Sequence, residues 1–293
     1  MKRVMLFVGT NLAVMLVLGV VASLFGLDRR AGGLANLLIF SALIGMGGSM
    51  FSLFISKWMA KRSTGAELIT QPRNEEQAWL LATVQRQAQA AGIGMPEVAI
   101  YPGPEMNAFA TGWNRNAALV AVSSGLLRQM RRDEVEAVLG HEISHVANGD
   151  MVTLSLLQGV LNTFVVFASS IIASMVSSAL RRSDDDRPGI MDSVVHTVVY
   201  MVLQMVFGML AAMIVMAFSR HREFRADAGG AGLTSRTAMA NALRRLSGDS
   251  VDHALPEGLQ AMGIAPGTAH GLKRLFMSHP PIAERIRALE AEG

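Results

Sequence analysis

"GHEISHVANGD", residues 140–150, stands directly before Met151–Leu180, a run free of Asp, Glu, Lys and Arg. Upstream, Asp133 with Glu136 three residues later has the pattern of a capping box, which starts a helix. Val135, Val138, Leu139, Ile143 and Val146 then recur at helical spacing as a buried stripe, and Gly149 is placed to end or bend the helix. On such a helix His141 and His145 leave from one face, four residues apart, and can share a cation. Glu142 lies about a hundred degrees round the helix, placed to work on a water rather than to ligate. This is the H-E-x-x-H pattern of helical metalloprotease sites. The competing reading is a solvated helix face that carries these side chains by chance.

A third ligand separates the two readings. "HREFRAD", residues 221–227, puts Glu223 and Asp227 four apart on one helix face. Two histidines and a glutamate leave a fourth position open, as a catalytic site needs. Asp227 can accept the remaining N–H of a ligand histidine and fix its tautomer. His221 competes with Glu223 but points to the opposite side, so only one of them can bind. Glu223 is preferred because Asp227 shares its face. No third histidine follows at the spacing of H-E-x-x-H-x-x-G-x-x-H.

The chain has 293 residues, 51% hydrophobic and 17% charged. Soluble domains average about a quarter charged residues, so with a mean hydropathy of +0.35 part of this chain is expected in lipid. It has no cysteine, which excludes disulfides and thiolate metal sites. The net charge of +3 is read as a determinant of membrane orientation rather than of nucleic-acid binding, since no basic run with interleaved aromatics occurs.

Val4–Leu27, Ala31–Ser56, Met151–Leu180 and Ser193–Ser219 are all free of charged residues and long enough to span a bilayer. Val4–Leu27 is read as a retained anchor rather than a cleaved leader. The third and fourth stretches carry Gln158, Asn162, His196 and Gln204. Their alternative role is packing against the protein's own domain, and His196 is expected to hydrogen-bond in packing. Lys2 and Arg3 before the first stretch, with Lys57, Lys61 and Arg62 after the second, predict both termini and the catalytic parts in the cytoplasm. The expected organisation is two amino-terminal membrane helices (1–56), a first catalytic part (57–150), membrane helices three and four (151–219) and a second catalytic part (220–293). An even number of crossings separates His145 from Glu223, so both reach the same face. The chemistry is expected in water at the membrane's edge.

Residues 74–92 show helical periodicity, and "EVAIY" reads as a short strand. "EMNAFATG" and "NAALVAVSSGLL" read as two strands joined by a Gly-Trp-Asn-Arg-Asn turn. Helix is expected from the fourth span to about Leu246, then a Gly- and Pro-rich loop to Gly271, then an amphipathic helix presenting Ile282, Ile286 and Leu289. No internal repeat is present.

"KWMAKRS", "QPRNE", "MNAFATG", "HEISHVANGD", "SRHREFRADA" and "SHPP", with the two amino-terminal apolar stretches, make the chain resemble the HtpX family of membrane zinc metalloproteases, related to the CaaX prenyl proteases. The resemblance implies an α-helical membrane protein of about four transmembrane helices with a cytoplasmic α+β zincin domain of gluzincin type. It implies one zinc per subunit, held by His141, His145 and Glu223, with Glu142 as base. It implies proteolysis of damaged or misfolded membrane proteins at a bacterial inner membrane under stress, and it places Asn107 near the bound peptide.

In the mechanism expected from these residues, zinc acidifies water, and Glu142 takes the proton and passes it to the leaving amine. The oxyanion needs a further donor, for which His279 is the candidate and Arg285 the second. The other reading of His279 is a residue that fixes the Pro280-Pro281 bend. Substrate backbone is expected to add to a strand edge at Asn107, Ala108 and Phe109; the other reading makes this an ordinary core strand. A membrane chaperone or scaffold that binds without cutting is the alternative function, disfavoured because binding needs no general base. An intramembrane protease is disfavoured by the charges from Arg131 to Glu136.

Overall fold

A computed structural model describes residues 33–180, 190–248 and 275–291. The expected span Val4–Leu27, the loop at 181–189 and nearly all of the loop at 248–271 lie outside them. In chain order the elements are α1 (Gly33–Ala42), a π-turn (Leu43–Gly47), α2 (Gly48–Thr64), β1 (Glu67–Leu68), α3 (Glu75–Ala90), β2 (Glu97–Tyr101), β3 (Ala108–Thr111) and β4 (Leu119–Ser123). There follow α4 (Ser124–Gln129), α5 (Arg132–Asn148), α6 (Asp150–Leu180), α7 (Ile190–Leu233), α8 (Arg236–Gly248) and α9 (Ile282–Ala291). The chain divides into two units, 1–51 with 155–215 and 52–154 with 216–293.

The described part of the first unit is apolar helix. Among the described residues three helices are long and apolar enough to cross a membrane: Ala35–Thr64, Asp150–Leu180 and Met191–Leu233. Small residues let these helices approach closely, as expected where lipid offers no hydrophobic drive for association. Gly45, in the π-turn, has backbone and side-chain atoms of Thr163 where a Cβ would stand. His196 lies 3.4 Å from the Ser174 hydroxyl and stacks on Tyr200, the packing role its position suggested.

The second unit is built round a four-stranded sheet of order β1-β2-β4-β3. β2 and β4 run parallel, and β3 returns antiparallel with Phe109 opposite Ala121. The expected turn joins β3 to β4: Gly112 sits at φ +136°, and the Asn114 side chain accepts the Asn116 N–H at 2.9 Å. Strand alternation sends Ala108, Ala110, Val98, Val120 and Val122 to one face, against Leu80 and Val84 of α3, Val135 and Val138 of α5, Leu243 of α8 and Leu289 of α9. Phe109, Tyr101 and Leu119 go to the other face, over Ala60 of α2.

Two expectations change. At the start of α5 only the back-reaching half of a capping box is made, and by Glu134 rather than Glu136: Glu134 accepts the Arg131 N–H at 2.9 Å. Met130 and Arg131 are extended, so the chain first turns helical at Arg132 and the carboxylate able to reach back is Glu134. Glu136 instead pairs with Arg86 at 3.0 Å. The fourth apolar run and the helix after it are one helix, α7, of 44 residues. The break comes at Ser235, whose hydroxyl accepts the Ala238 N–H at 3.1 Å and starts α8, so helix does not run unbroken to Leu246.

Candidate metal centre

The buried stripe of α5 is present as read, but from Ala137 to Val146 every residue is buried, whichever way it points. The helix is covered on the side away from the sheet by the carboxyl-terminal part of α7. Glycines make that approach possible. A Cβ on Gly230 would stand 2.8 Å from the His141 nitrogen, and one on Gly140 would stand 3.2 Å from the Gly230 oxygen. The crossing brings Glu223 and Asp227, one helical turn apart on α7, over His141 and His145, one turn apart on α5.

His141, His145 and Glu223 offer ligand atoms within 4.8 Å of one another, all on buried residues. The two Nε2 atoms face each other at 3.1 Å, and Glu223 lies 3.5 Å from His141 Nε2 and 3.2 Å from His145 Nε2. Each Nδ1 meets a carboxylate: Asp227 at 2.9 Å from His141 and Asp150 at 2.7 Å from His145. A neutral imidazole that donates from Nδ1 leaves Nε2 as an acceptor. Two acceptor lone pairs and an anionic carboxylate cannot share so small a space without a positive charge among them. Glu223 Oε1, buried and 3.2 Å from His145 Nε2, is a further acceptor directed at the same point. The donor set therefore fits a divalent cation with nitrogen and oxygen ligands, with the remote nitrogens oriented by carboxylates as in known metal sites.

His221 is exposed on α7, away from the cluster, as its opposite phase to Glu223 predicted. Glu142 is buried, and burial raises its carboxyl pKa while the neighbouring imidazoles oppose the rise. Burial works against a charged His145, yet bonds with Asp150 and Glu223 outweigh it and raise the imidazole to about 9 when no metal is present.

His279 lies against Glu223, Nδ1 to Oε2 at 2.7 Å, and its buried Nε2 has no hydrogen-bond partner among the described residues. Arg285 is wholly buried and donates to Asp227 from Nε at 2.7 Å and from Nη2 at 2.6 Å. Burial disfavours its charge, but Asp227 more than compensates and drives its pKa up. Arg285, the second oxyanion candidate from the sequence, holds the carboxylate that orients His141, and its Nη1 lies 3.4 Å from Glu223 Oε2.

Asn107, Ala108 and Phe109 are buried at the start of β3, which packs against α5. Among the described residues β3 is an edge of the sheet, paired only with β4. Asn107 O accepts the Ser123 N–H at 2.9 Å, so by antiparallel alternation Phe109 and Thr111 turn their backbone groups to β4 and Ala108 and Ala110 turn theirs outward.

Asp150 was given no role by the sequence. Its signal was the Asn-Gly-Asp that follows the second histidine. Gly149 ends α5 in the left-handed region at φ +63°, and this reversal returns Asp150 to His145 five residues upstream.

A small sheet with a buried His-His-Glu cluster beside a glutamate on the same helix, in a chain of apolar helices, defines a membrane metalloprotease. Residues 74–293 match the profile of peptidase family M48, and the chain belongs to that family. It is 57% identical over 292 residues to the protease HtpX of Xanthomonas campestris pv. campestris (strain B100), covering 100% of this chain and 98% of that one. To the protease HtpX of Stenotrophomonas maltophilia (strain R551-3) it is 57% identical over 289 residues, covering 99% and 98%. The crystal structure of S. mikatae Ste24p has the same fold, with a TM-score of 0.59 at 16% identity, covering 99% of this chain and 65% of that longer one.

Proposed function

We propose that the chain is a zinc-dependent endopeptidase of a bacterial inner membrane, cleaving damaged or misfolded membrane proteins at the cytoplasmic face in stress-linked quality control. The observation that carries this reading is the meeting of His141 Nε2, His145 Nε2 and Glu223 in one buried cluster, with Glu142 on the same helix. The protease names of the relatives and the apolar helices support it.

Zinc bound there would act as a Lewis acid on a peptide carbonyl and lower the pKa of water. Glu142, whose pKa is raised by burial against the opposing imidazoles, takes a proton from the attacking water and returns it to the leaving amine. His279, its ring fixed by Nδ1–H donating to Glu223 Oε2, is the candidate donor to the oxyanion through Nε2, a role that requires protons on both ring nitrogens. Asp227 orients His141, and the outward edge of β3 takes the substrate backbone, with Asn107 supplying an amide that demands no particular side chain.

Four transmembrane helices are assigned, the described three and Val4–Leu27, with 57–150 and 220–293 forming one cytoplasmic catalytic domain. Lys57, Lys61 and Arg62 at the end of the second stretch support the orientation. Since the chain has no cysteine, single cysteines report it: those at Gly32 and Ser183 react with an impermeant thiol reagent outside intact cells, and one at Ser247 does not. Labelling at Ser247 from outside would overturn the orientation.

The protein purified in detergent is expected to contain one zinc per chain by elemental analysis and to cut casein and a destabilised membrane protein, with loss on chelation. Glu142→Gln keeps its metal and fold but cuts nothing; appreciable residual cleavage would sink the mechanism. Unchanged rescue of stressed cells by this variant would favour a membrane chaperone instead.

A further inference from the structure

The charge-free stretch Ala31–Ser56 ends at Lys57, and the side chains round that point form a patch that catalysis does not use. Phe54 and Trp58 of α2 are 52% and 60% exposed, and Trp113, in the turn between β3 and β4, is 52% exposed. The rings of Phe54 and Trp113 meet edge-on, with centroids 5.6 Å apart. Lys57 Nζ donates to Ala117 O at 2.9 Å and pairs with Glu97 at 2.8 Å, which fastens the far end of the turn to α2. The Arg62 guanidinium lies over the Trp58 ring, 5.8 Å from its centroid. Arg115 stands exposed at the tip of the turn.

Exposed aromatics gathered in one patch and rimmed by cations mark an interaction surface rather than ordinary solvated surface. Trp and Tyr favour the water–lipid boundary, where an apolar ring and a polar N–H are both accommodated. Glu97, the acid beside the patch, is neutralised by Lys57 and Lys61, so Arg62 and Arg115 give the patch a positive face suited to anionic headgroups.

We infer that the Gly112–Ala117 turn is an interfacial anchor seated in the phospholipid headgroup layer, with Trp113 between headgroups and acyl chains and Arg115 on lipid phosphates. The inference rests on the reading of the α1–α2 helix as a membrane span. Because the turn is the end of β3, the anchor holds the outward strand edge beside the boundary from which a loosened transmembrane segment emerges.

The full chain carries three tryptophans. Trp58→Phe with Trp79→Phe leaves Trp113 as sole emitter, and Trp79→Phe with Trp113→Phe leaves Trp58. Both proteins, verified for native metal content, are reconstituted in phosphatidylcholine–phosphatidylglycerol vesicles whose acyl chains are plain or brominated near the headgroup. Trp113 emission is expected to fall in brominated vesicles by as large a fraction as that of Trp58, and to resist aqueous iodide. Quenching of Trp58 by brominated lipid, with Trp113 quenched by iodide alone, would overturn the anchor and leave the span intact. Absence of lipid quenching at both positions would overturn the span and the anchor together.

Discussion

Arg285 and Asp227 form a buried two-bond pair, Nε to Oδ2 at 2.7 Å and Nη2 to Oδ1 at 2.6 Å, and the same Oδ1 meets His141 Nδ1 at 2.9 Å. The carboxylate is thus held from one side while it orients a ligand on the other. Asp227→Asn is expected to weaken metal binding by about ten- to a hundredfold, because the amide keeps the shape and loses the charge. Arg285→Met leaves the buried Asp227 carboxylate with His141 but without its cation, at a cost of up to about 3–5 kcal/mol of stability. Metal titration and thermal unfolding in detergent measure the two separately; an Arg285→Met protein as stable as the unaltered one would deny the pair its role.

Metal affinity is expected to depend on pH through His145. Without metal its imidazole is raised to about 9, so below that pH a bound cation must displace the proton. Affinity therefore falls as pH decreases, by about tenfold per unit for one proton released. The metal-free protein has the opposite slope: the raised folded pKa adds stability fully present below the unfolded value near 6.5 and lost as pH rises through about 9. A chelator-competition series over pH, paired with unfolding of the metal-free protein, reads both slopes. Flat affinity across this range would show that His145 is not protonated in the metal-free state.

Gly230→Ala tests the crossing of α5 and α7. The added methyl would stand 2.8 Å from the His141 backbone nitrogen, which has no flexible end to yield. The helices must part, carrying Glu223 from the histidines. Metal loss with retained helical content by circular dichroism is the expected result, and full metal content would show that α7 shifts without moving Glu223.

At β3, Ala108→Pro removes an outward-facing N–H and is expected to cut cleavage strongly with metal content unchanged. Asn107→Ala should lower turnover by the about 0.5–1.5 kcal/mol of a typical hydrogen bond. Both variants cleaving at full rate, folded and metallated, would place the peptide elsewhere.

Much of the centre could be read in the sequence because it is local. His141, Glu142 and His145 sit within five residues, and Glu223 and Asp227 share one turn, so helical phase alone shows which side chains can act together. The hairpin was legible for the same reason, from alternation on either side of a Gly-Trp-Asn-Arg-Asn turn. The bond between Arg285 and Asp227 was not, because it joins α9 to α7 across 58 residues and an isolated arginine on an amphipathic helix looks solvated. The capping glutamate at α5 slipped by two residues because acidic residues stand at 133, 134 and 136, and only the extended backbone at Arg131 selects among them. Asp150 escaped notice because its role depends on the positive φ of Gly149, a property of the backbone rather than of the motif.

The uninterrupted helix α7 carries mechanical weight beyond its length. Between Ser219, where its apolar run ends, and Glu223 lie only Arg220, His221 and Arg222, with neither glycine nor proline to serve as a joint. At about 1.5 Å of rise per residue, the carboxylate is about 6 Å along the axis from the last uncharged residue. Glu223 and Asp227 stand on that same unbroken stretch, so a change in its helical phase would move the third ligand and the carboxylate that orients His141 as one.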